Sequence, residues 1–277
     1  MTQPPILTDR KALVRHRDRA RALPGHDEAL FLHRLALADL EERLDEVNKR
    51  FTAKAVVTGF PQVFQGWTDA KVVADEDLIE LEPVAYDLVV HFMSLHWASD
   101  PVGQLVQCRR ALKPDGLCLV VLPGGRSLQE LRAAMAEAET AVTGGLSPRV
   151  VPMGEIRDLG ALMQRAGFAL PVADSLLQTV QYRSFPALLA DLRAAGETNA
   201  LDARLRHFTR RAVFAAAAGI YARSYGSLEG RLAATAELVV LTGWAPHESQ
   251  QQPLRPGSAK SRLADALGVP EKPLKDG

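Results

Sequence analysis

Four runs of mostly apolar residues constrain this chain more than any other feature: Ala55-Val56-Val57, Lys71-Val72-Val73-Ala74, Tyr86-Asp87-Leu88-Val89-Val90 and Leu117-Cys118-Leu119-Val120-Val121-Leu122. They do not alternate polar with apolar residues, as a strand with one wet face does. Near-continuous, β-branched runs mark strands covered on both faces, the condition of a parallel sheet with helices on either side. Pro101 to Leu112 reads as a helix between the third and fourth runs, and Lys113-Pro114-Asp115-Gly116 reads as the turn that closes it. Strand, helix, strand is the rhythm of an open α/β sheet.

The flanking segments read as helices and returning strands. Residues 9–22 form an arginine-rich helix carrying Arg15, Arg17, Arg19 and Arg21, expected to be a solvated face; the other reading is a contact arm for an acidic partner or a membrane surface. Asp27 is placed to cap a helix running to Asn48, with Leu37, Leu40, Leu44 and Val47 on one face. Ser127-Leu128-Gln129-Glu130 has the form of a capping box, opening a helix that stops at Gly144-Gly145. Ile156, Leu159, Met163 and Ala166 mark another helix, closed by Gly167. Phe168–Val172 and Leu177–Tyr182 read as two strands. Residues 184–225 read as helical, broken at Gly196, with the second piece from about Asp202 to Tyr221. Glu237–Thr242 reads as a last strand, antiparallel at the sheet's edge. Residues 245–257 read as a surface loop and Ser258–Leu267 as a short helix. The expected organisation is an N-terminal helical region 1–50, a core 51–183, a helical insert 184–229 over the carboxyl ends of the parallel strands, a returning strand 230–246, and a loop, helix and tail 247–277.

Composition excludes several classes. Lys plus Arg and Asp plus Glu each number 33, so no basic excess points to nucleic acid. No apolar run approaches the ~20 residues of a membrane span. The opening MTQPPILTDR lacks a signal-peptide stretch, so a cytoplasmic location is expected. The two cysteines, Cys108 and Cys118, fit neither a disulfide framework nor a metal spacing. His247-Glu248 lacks a second histidine at helical spacing, so no metal site is expected.

Residues 86–125, YDLVVHFMSLHWASDPVGQLVQCRRALKPDGLCLVVLPGG, resemble the fourth and fifth strands of class I S-adenosylmethionine-dependent methyltransferases. Asp87 matches the aspartate that opens the fourth strand, and Leu95-His96-Trp97 and the Lys-Pro-Gly-like turn follow in order. Residues 144–172 and 242–268, with Asp191-Leu192-Arg193 and Thr198-Asn199-Ala200-Leu201, resemble a narrower branch. That branch comprises bacterial relatives of a mitochondrial respiratory complex I assembly factor, understood to hydroxylate an arginine of a complex I subunit. A more distant likeness is to the malonyl-acyl-carrier-protein methyltransferase of biotin synthesis. The resemblance implies a Rossmann-like three-layer α/β sandwich, S-adenosylmethionine as the cofactor if one is bound, and a protein partner in complex I or its assembly machinery.

The chain departs from that pattern at the cofactor motif. Val57 stands where the family has an acid, Gly59 at the first glycine, and Phe60-Pro61-Gln62-Val63 follows in place of a glycine-rich turn. Asp87 stands only 28 positions after Gly59. A strand–helix–strand unit needs about thirty or more, so a shortened sheet lacking at least one strand–helix element is expected. Asp75 and Glu76 best match the family's third strand end, where an acid faces adenine; the acid that grips the ribose hydroxyls has no counterpart. His91 falls at the cofactor edge. The cofactor-binding candidates are thus Gly59, Asp75, Glu76 and His91. Substrate or partner candidates are Arg157 and Asp158, with Trp244 and His247 in the loop after the last strand. His96-Trp97 reads as a pocket wall or a packing pair, and no residue stands out as catalytic. Two functions fit: a degenerate binding or assembly module in complex I biogenesis, or an active methyltransferase or protein-arginine hydroxylase acting on a protein or small acid. In a third, a partner chain completes the cofactor site.

Overall fold

The four apolar runs form four parallel strands, β1 (Lys54–Thr58), β2 (Ala70–Val73), β3 (Tyr86–Phe92) and β4 (Leu112–Pro123). Two long strands, β5 (Ala169–Tyr182) and β6 (Leu232–Trp244), complete a sheet ordered β2-β1-β3-β4-β6-β5, with β6 antiparallel to both neighbours. The computed structural model describes residues 6–251, and the chain divides into two compact units, Met1–Pro246 and His247–Gly277. Among the described residues all the strands lie in the first unit, with α1 (Arg10–Arg21), α2 (His26–Ala29), α3 (Phe31–Glu46), α4 (Pro101–Ala111), α5 (Gln129–Thr143), α6 (Ile156–Arg165), α7 (Phe185–Ala194) and α8 (Arg211–Tyr225). In the second unit, His247 to Gln251 are described; His247 is exposed, its Nδ1 2.7 Å from Ser249 Oγ. The expected helix Ser258–Leu267 lies outside the described residues. Among the described residues no helix is long and apolar enough to cross a membrane.

The absence of alternation in the strands follows from cover on both faces. Val57, Val89, Cys118, Val120, Val239 and Leu241 pack with α4 and α6 on one side. Val56, Leu88, Val90, Leu119, Val121 and Val240 pack with α3 on the other. Each such side chain contributes about 1.5–3 kcal/mol when fully buried. This is a three-layer Rossmann-like sandwich. Its shortening falls between β1 and β2, where the connection holds only a 3-10 turn, Pro61–Phe64. Phe60 and Phe64 pack beside α3, on the face that a crossover helix would otherwise cover.

The structure corrects several local expectations. β6 is not at the edge: buried on both faces, it lies between β4 and β5, and the half-exposed β5 is the edge strand. β5 is one strand of fourteen residues rather than two. Ser127 and Glu130 do not form a capping box. Ser127 Oγ donates to Glu237 O and accepts from Glu237 N, and Glu130 accepts from the backbone and hydroxyl of Thr235, so both tie α5 to β6. Asp27 caps nothing; Gly25, at φ 83°, precedes α2, and Leu30 separates α2 from α3. The helix expected from Asp202 begins only at Arg211. Leu201 bridges Thr8, and Arg204 and Arg206 both bind the Asp9 carboxylate, which holds 201–206 against the start of α1.

Candidate functional site

In open α/β sheets ligands bind beyond the carboxyl ends of the strands, where the strand order reverses. Here that place is between β1 and β3, and a side chain from α1 fills the β1–β2 side of it. Leu13, Arg17 and Ala20 form the buried stripe of α1. Arg17 is 5% exposed, and its Nη1 donates to Asp75 Oδ1 at 2.8 Å and Oδ2 at 3.0 Å. Its guanidinium lies 4.9 Å from the Phe60 ring centre, within cation–π range. A Cβ on Gly59 would fall 2.0 Å from Arg17 Nη1, so glycine is required here to admit the protein's own arginine. Arg10 Nη2 donates to Asp75 O at 2.6 Å and lies 3.5 Å from both acidic side chains, Asp75 and Glu76; Arg21 Nη2 donates to Gly59 O at 3.2 Å. Burial alone would raise the Asp75 carboxyl, but Arg17 and Arg10 outweigh it and hold it below its ordinary range. A hollow of about 320 Å³ remains, edged by Val14, Arg21, Thr58, Pro61 and Glu76.

A second hollow, of about 330 Å³, opens beside it beyond β3 and β4. Its floor is Met93 and Pro123, its walls come from α5 and the ends of β5 and β6, and α7 with the loop Ala195–Asn199 roofs it. Gly196, at φ 83°, turns that loop onto α1, where a Cβ would stand 3.4 Å from Arg17 Cα. The lining is mostly apolar, with one polar cluster. Trp97 Nε1 donates to Glu197 Oε2 at 2.9 Å, and His96 Nε2 lies 3.3 Å from the same oxygen. Glu197 Oε1, His96 Nδ1 and both ring nitrogens of His33 are buried without partners. Burial would raise the Glu197 carboxyl, but His96, Arg17 and His33 outweigh it and bring it to about 2. Burial pushes His33 down to about 4, so its imidazole is neutral at neutral pH and offers one donor and one acceptor. Among the described residues, no group of three or more His, Cys, Asp or Glu side chains is arranged to hold a metal.

Residues 28–120 match the family described as a methyltransferase domain. The mitochondrial arginine-hydroxylase NDUFAF5 of Dictyostelium discoideum is 39% identical over 196 residues, 70% of this chain and 45% of that protein. Its Homo sapiens namesake is 38% identical over 188 residues, 68% of this chain and 54% of that protein. The chain carries a methyltransferase domain. A malonyl-[acyl-carrier protein] O-methyltransferase of Xylella fastidiosa is 32% identical over 177 residues, 64% of this chain and 58% of that protein. The chain spans about half the length of the arginine-hydroxylases it matches.

Within this methyltransferase-like chain, the structure brings three of the four cofactor candidates together: Gly59, Asp75 and Glu76 stand at the ends of β1 and β2. The order β2-β1-β3 places Asp75 beside β1, the sheet position of the strand that carries the ribose acid, although its sequence matches the third strand. His91 is fully buried within β3; its Nε2 lies 2.8 Å from Gln104 Oε1, and Gln104 Nε2 donates to Glu76 O. Arg157 and Asp158 are exposed in the first turn of α6, line neither hollow and make no ion pair among the described residues. Trp244 is the last residue of β6 rather than a loop residue, half-buried beneath Lys49 Nζ at 5.3 Å.

Sequence reasoning missed Arg17, His33 and Glu197. Arg17 had a signal: it interrupts a stripe that Leu13 and Ala20 otherwise make apolar, so it is no part of a solvated face. His33 stands likewise on the buried side of α3 with Ala36 and Leu40. Glu197 follows the helix-ending Gly196 and precedes the Thr198–Leu201 stretch already singled out.

Proposed function

We propose that this chain is a methyltransferase-like binding module in respiratory complex I assembly that works without S-adenosylmethionine. One observation carries the reading: Arg17 lies where the cofactor would have to enter. The side chains at the ends of β1 and β2 do not fit that cofactor. Asp75, beside β1, has both oxygens engaged by Arg17. Phe60 and Pro61 follow Gly59 where further glycines would admit the methionine part. The second hollow serves instead as the receiving site, its apolar walls taking the stem of a side chain from a protein partner and its unpaired polar atoms the head. The arginine-hydroxylase relatives support a protein partner.

The test is calorimetric titration of the purified protein, freed of carried-over ligand, with S-adenosylmethionine. Two charge-assisted hydrogen bonds to the ribose are worth roughly 1.5–3 kcal/mol each, so their loss weakens binding about a hundredfold to ten-thousandfold. A family member binding at about 1 μM thus becomes one binding at about 0.1–10 mM. A one-to-one complex tighter than about ten micromolar would overturn the reading and restore the enzymatic one.

A further inference from the structure

We propose that β5 is the seat of a homodimer, in which two copies of this chain pair their edge strands antiparallel about a twofold axis at Leu177. An open sheet has two edges, and here they are finished differently. β2 is four residues long and carries Lys71, ion-paired with Glu82; a short edge bearing a lysine resists a further strand. β5 is fourteen residues long and has no buried residue along its length, and among the described residues it pairs only with β6. Its guards lie at the start, in Pro171 and a break in register between Ala169 and Val172. From Val172 to Tyr182 the register with β6 is unbroken, with no proline and one charge, Asp174. That carboxylate is held by Arg43 at 2.7 Å and accepts Ser175 N–H at 2.8 Å, as the carbonyl of a neighbouring strand would.

The edge is complementary to itself. The unbroken stretch Val172–Tyr182 is centred on Leu177, so a twofold through that residue pairs the stretch along its whole length. Leu177 is 44% exposed, and Ser175 and Thr179 are exposed on the same face. Across the axis Leu177 meets Leu177, and on either side Ser175 meets Thr179. Apolar pairs and hydroxyl pairs are among the cross-strand contacts that stabilise antiparallel strands. Asp174 falls opposite Val180 and stands about 20 Å along the pair from its mate, beyond the reach of like-charge repulsion in physiological salt. An extended segment of another protein is chosen at such an edge by side-chain pockets or charges. The only charge here is already engaged by Arg43, so the edge selects no charged peptide, whereas an identical strand fits it. A twofold pair also covers both exposed β5 edges at once. The inference rests on this edge alone and not on what either hollow receives.

The experiment is sedimentation equilibrium of the full chain over a series of concentrations. A strand pair with little beyond it is a small interface, so a dimer with a dissociation constant of about 10–100 μM is expected, and the series spans that range. Leu177→Lys sets two like charges face to face across the axis and should weaken the dimer at least about tenfold. The side chain is exposed, so circular dichroism of the variant should match the parent. As a second measurement, Leu177→Cys should give a covalent dimer under mild oxidation, because its thiol faces that of its mate. Gln181→Cys, exposed on the same face, should not, since it lies about 26 Å along the pair from its mate. Cys108 and Cys118 are buried and add no background. A chain that stays monomeric across the series would overturn the proposal. So would a Leu177→Lys dimer as tight as the parent's, Gln181→Cys linking as readily as Leu177→Cys, or growth into species larger than a dimer.

Discussion

The two hollows lie side by side along the same ends of the parallel strands, yet they are finished in opposite ways. Beyond β1 and β2, Asp75 is met by Arg17 and Arg10. Beyond β3 and β4, Glu197 Oε1 and both nitrogens of His33 have no partner. Buried polar groups in folded proteins are normally paired. The first hollow has unmet donors too, at Arg17 Nε and Nη2 and Arg10 Nε and Nη1, but its carboxylate is paired on both oxygens. The second differs in leaving one oxygen of its carboxylate, and the imidazole beside it, unmet.

The sharpest way to break this contrast is Arg17→Met. It leaves Asp75 buried with Arg10 alone at 3.5 Å, and removing one partner of a buried pair costs about 3–5 kcal/mol. Adding Asp75→Leu should recover most of that loss, because a matched apolar replacement removes the orphaned charge. Denaturant midpoints of the two variants decide it; if the single variant unfolds like the parent, Arg17 is no structural plug. Carboxylates held low in the fold contribute stability above about pH 4 that is lost as pH falls. The Asp75 share of that loss should disappear in the double variant.

His33 gives the next largest effect, with the opposite pH window. Unfolded, an imidazole titrates near about 6.5, whereas His33 is held at about 4. As pH falls through that interval the unfolded chain takes up the proton first. Stability is thus full above about pH 6.5 and drops by about 3 kcal/mol in all by pH 4. His33→Leu should remove its share of this slope, leaving those of His91 and His16, also lowered by burial. Unfolding curves across the interval that are parallel for parent and variant would show that His33 is not buried neutral. The third variant is Glu197→Gln. The amide keeps an acceptor for Trp97 but loses a carboxylate that His96, Arg17 and His33 hold at about 2, so by the same linkage stability at neutral pH should fall by about 3 kcal/mol, a loss that should vanish as pH falls toward 2. A loss that does not vary with pH would mean that the carboxylate is not held low.

The sheet was legible because strands buried on both faces leave a continuous apolar imprint, as Leu88-Val89-Val90 and Leu117 to Leu122 do. The missing crossover was legible too, since chain length limits what fits between Gly59 and Asp87. The place of β6 was not, because strand order depends on pairing between residues more than a hundred apart, such as Val121 and Val240. Gly59 and Asp75 were singled out and do stand together at the strand ends, but Arg17, which meets both, was not. That partner lies 58 residues from Asp75 in sequence, and an arginine in a basic run reads as solvent-facing until its helical register is weighed against Leu13 and Ala20.

The position of β6 governs how this chain can be made. Among the described strands Leu232–Trp244 is the last to leave the ribosome, yet β4 and β5 pair on either side of it. Until it emerges, β4 carries an open edge and β5 has no strand to join, although both are already synthesised. A nascent chain in that condition presents two unpaired edges to its neighbours, which is how sheets pair wrongly between molecules. A chain stopped before Leu232 is therefore no smaller version of this fold but an aggregating species, and the sheet closes only once β6 has emerged.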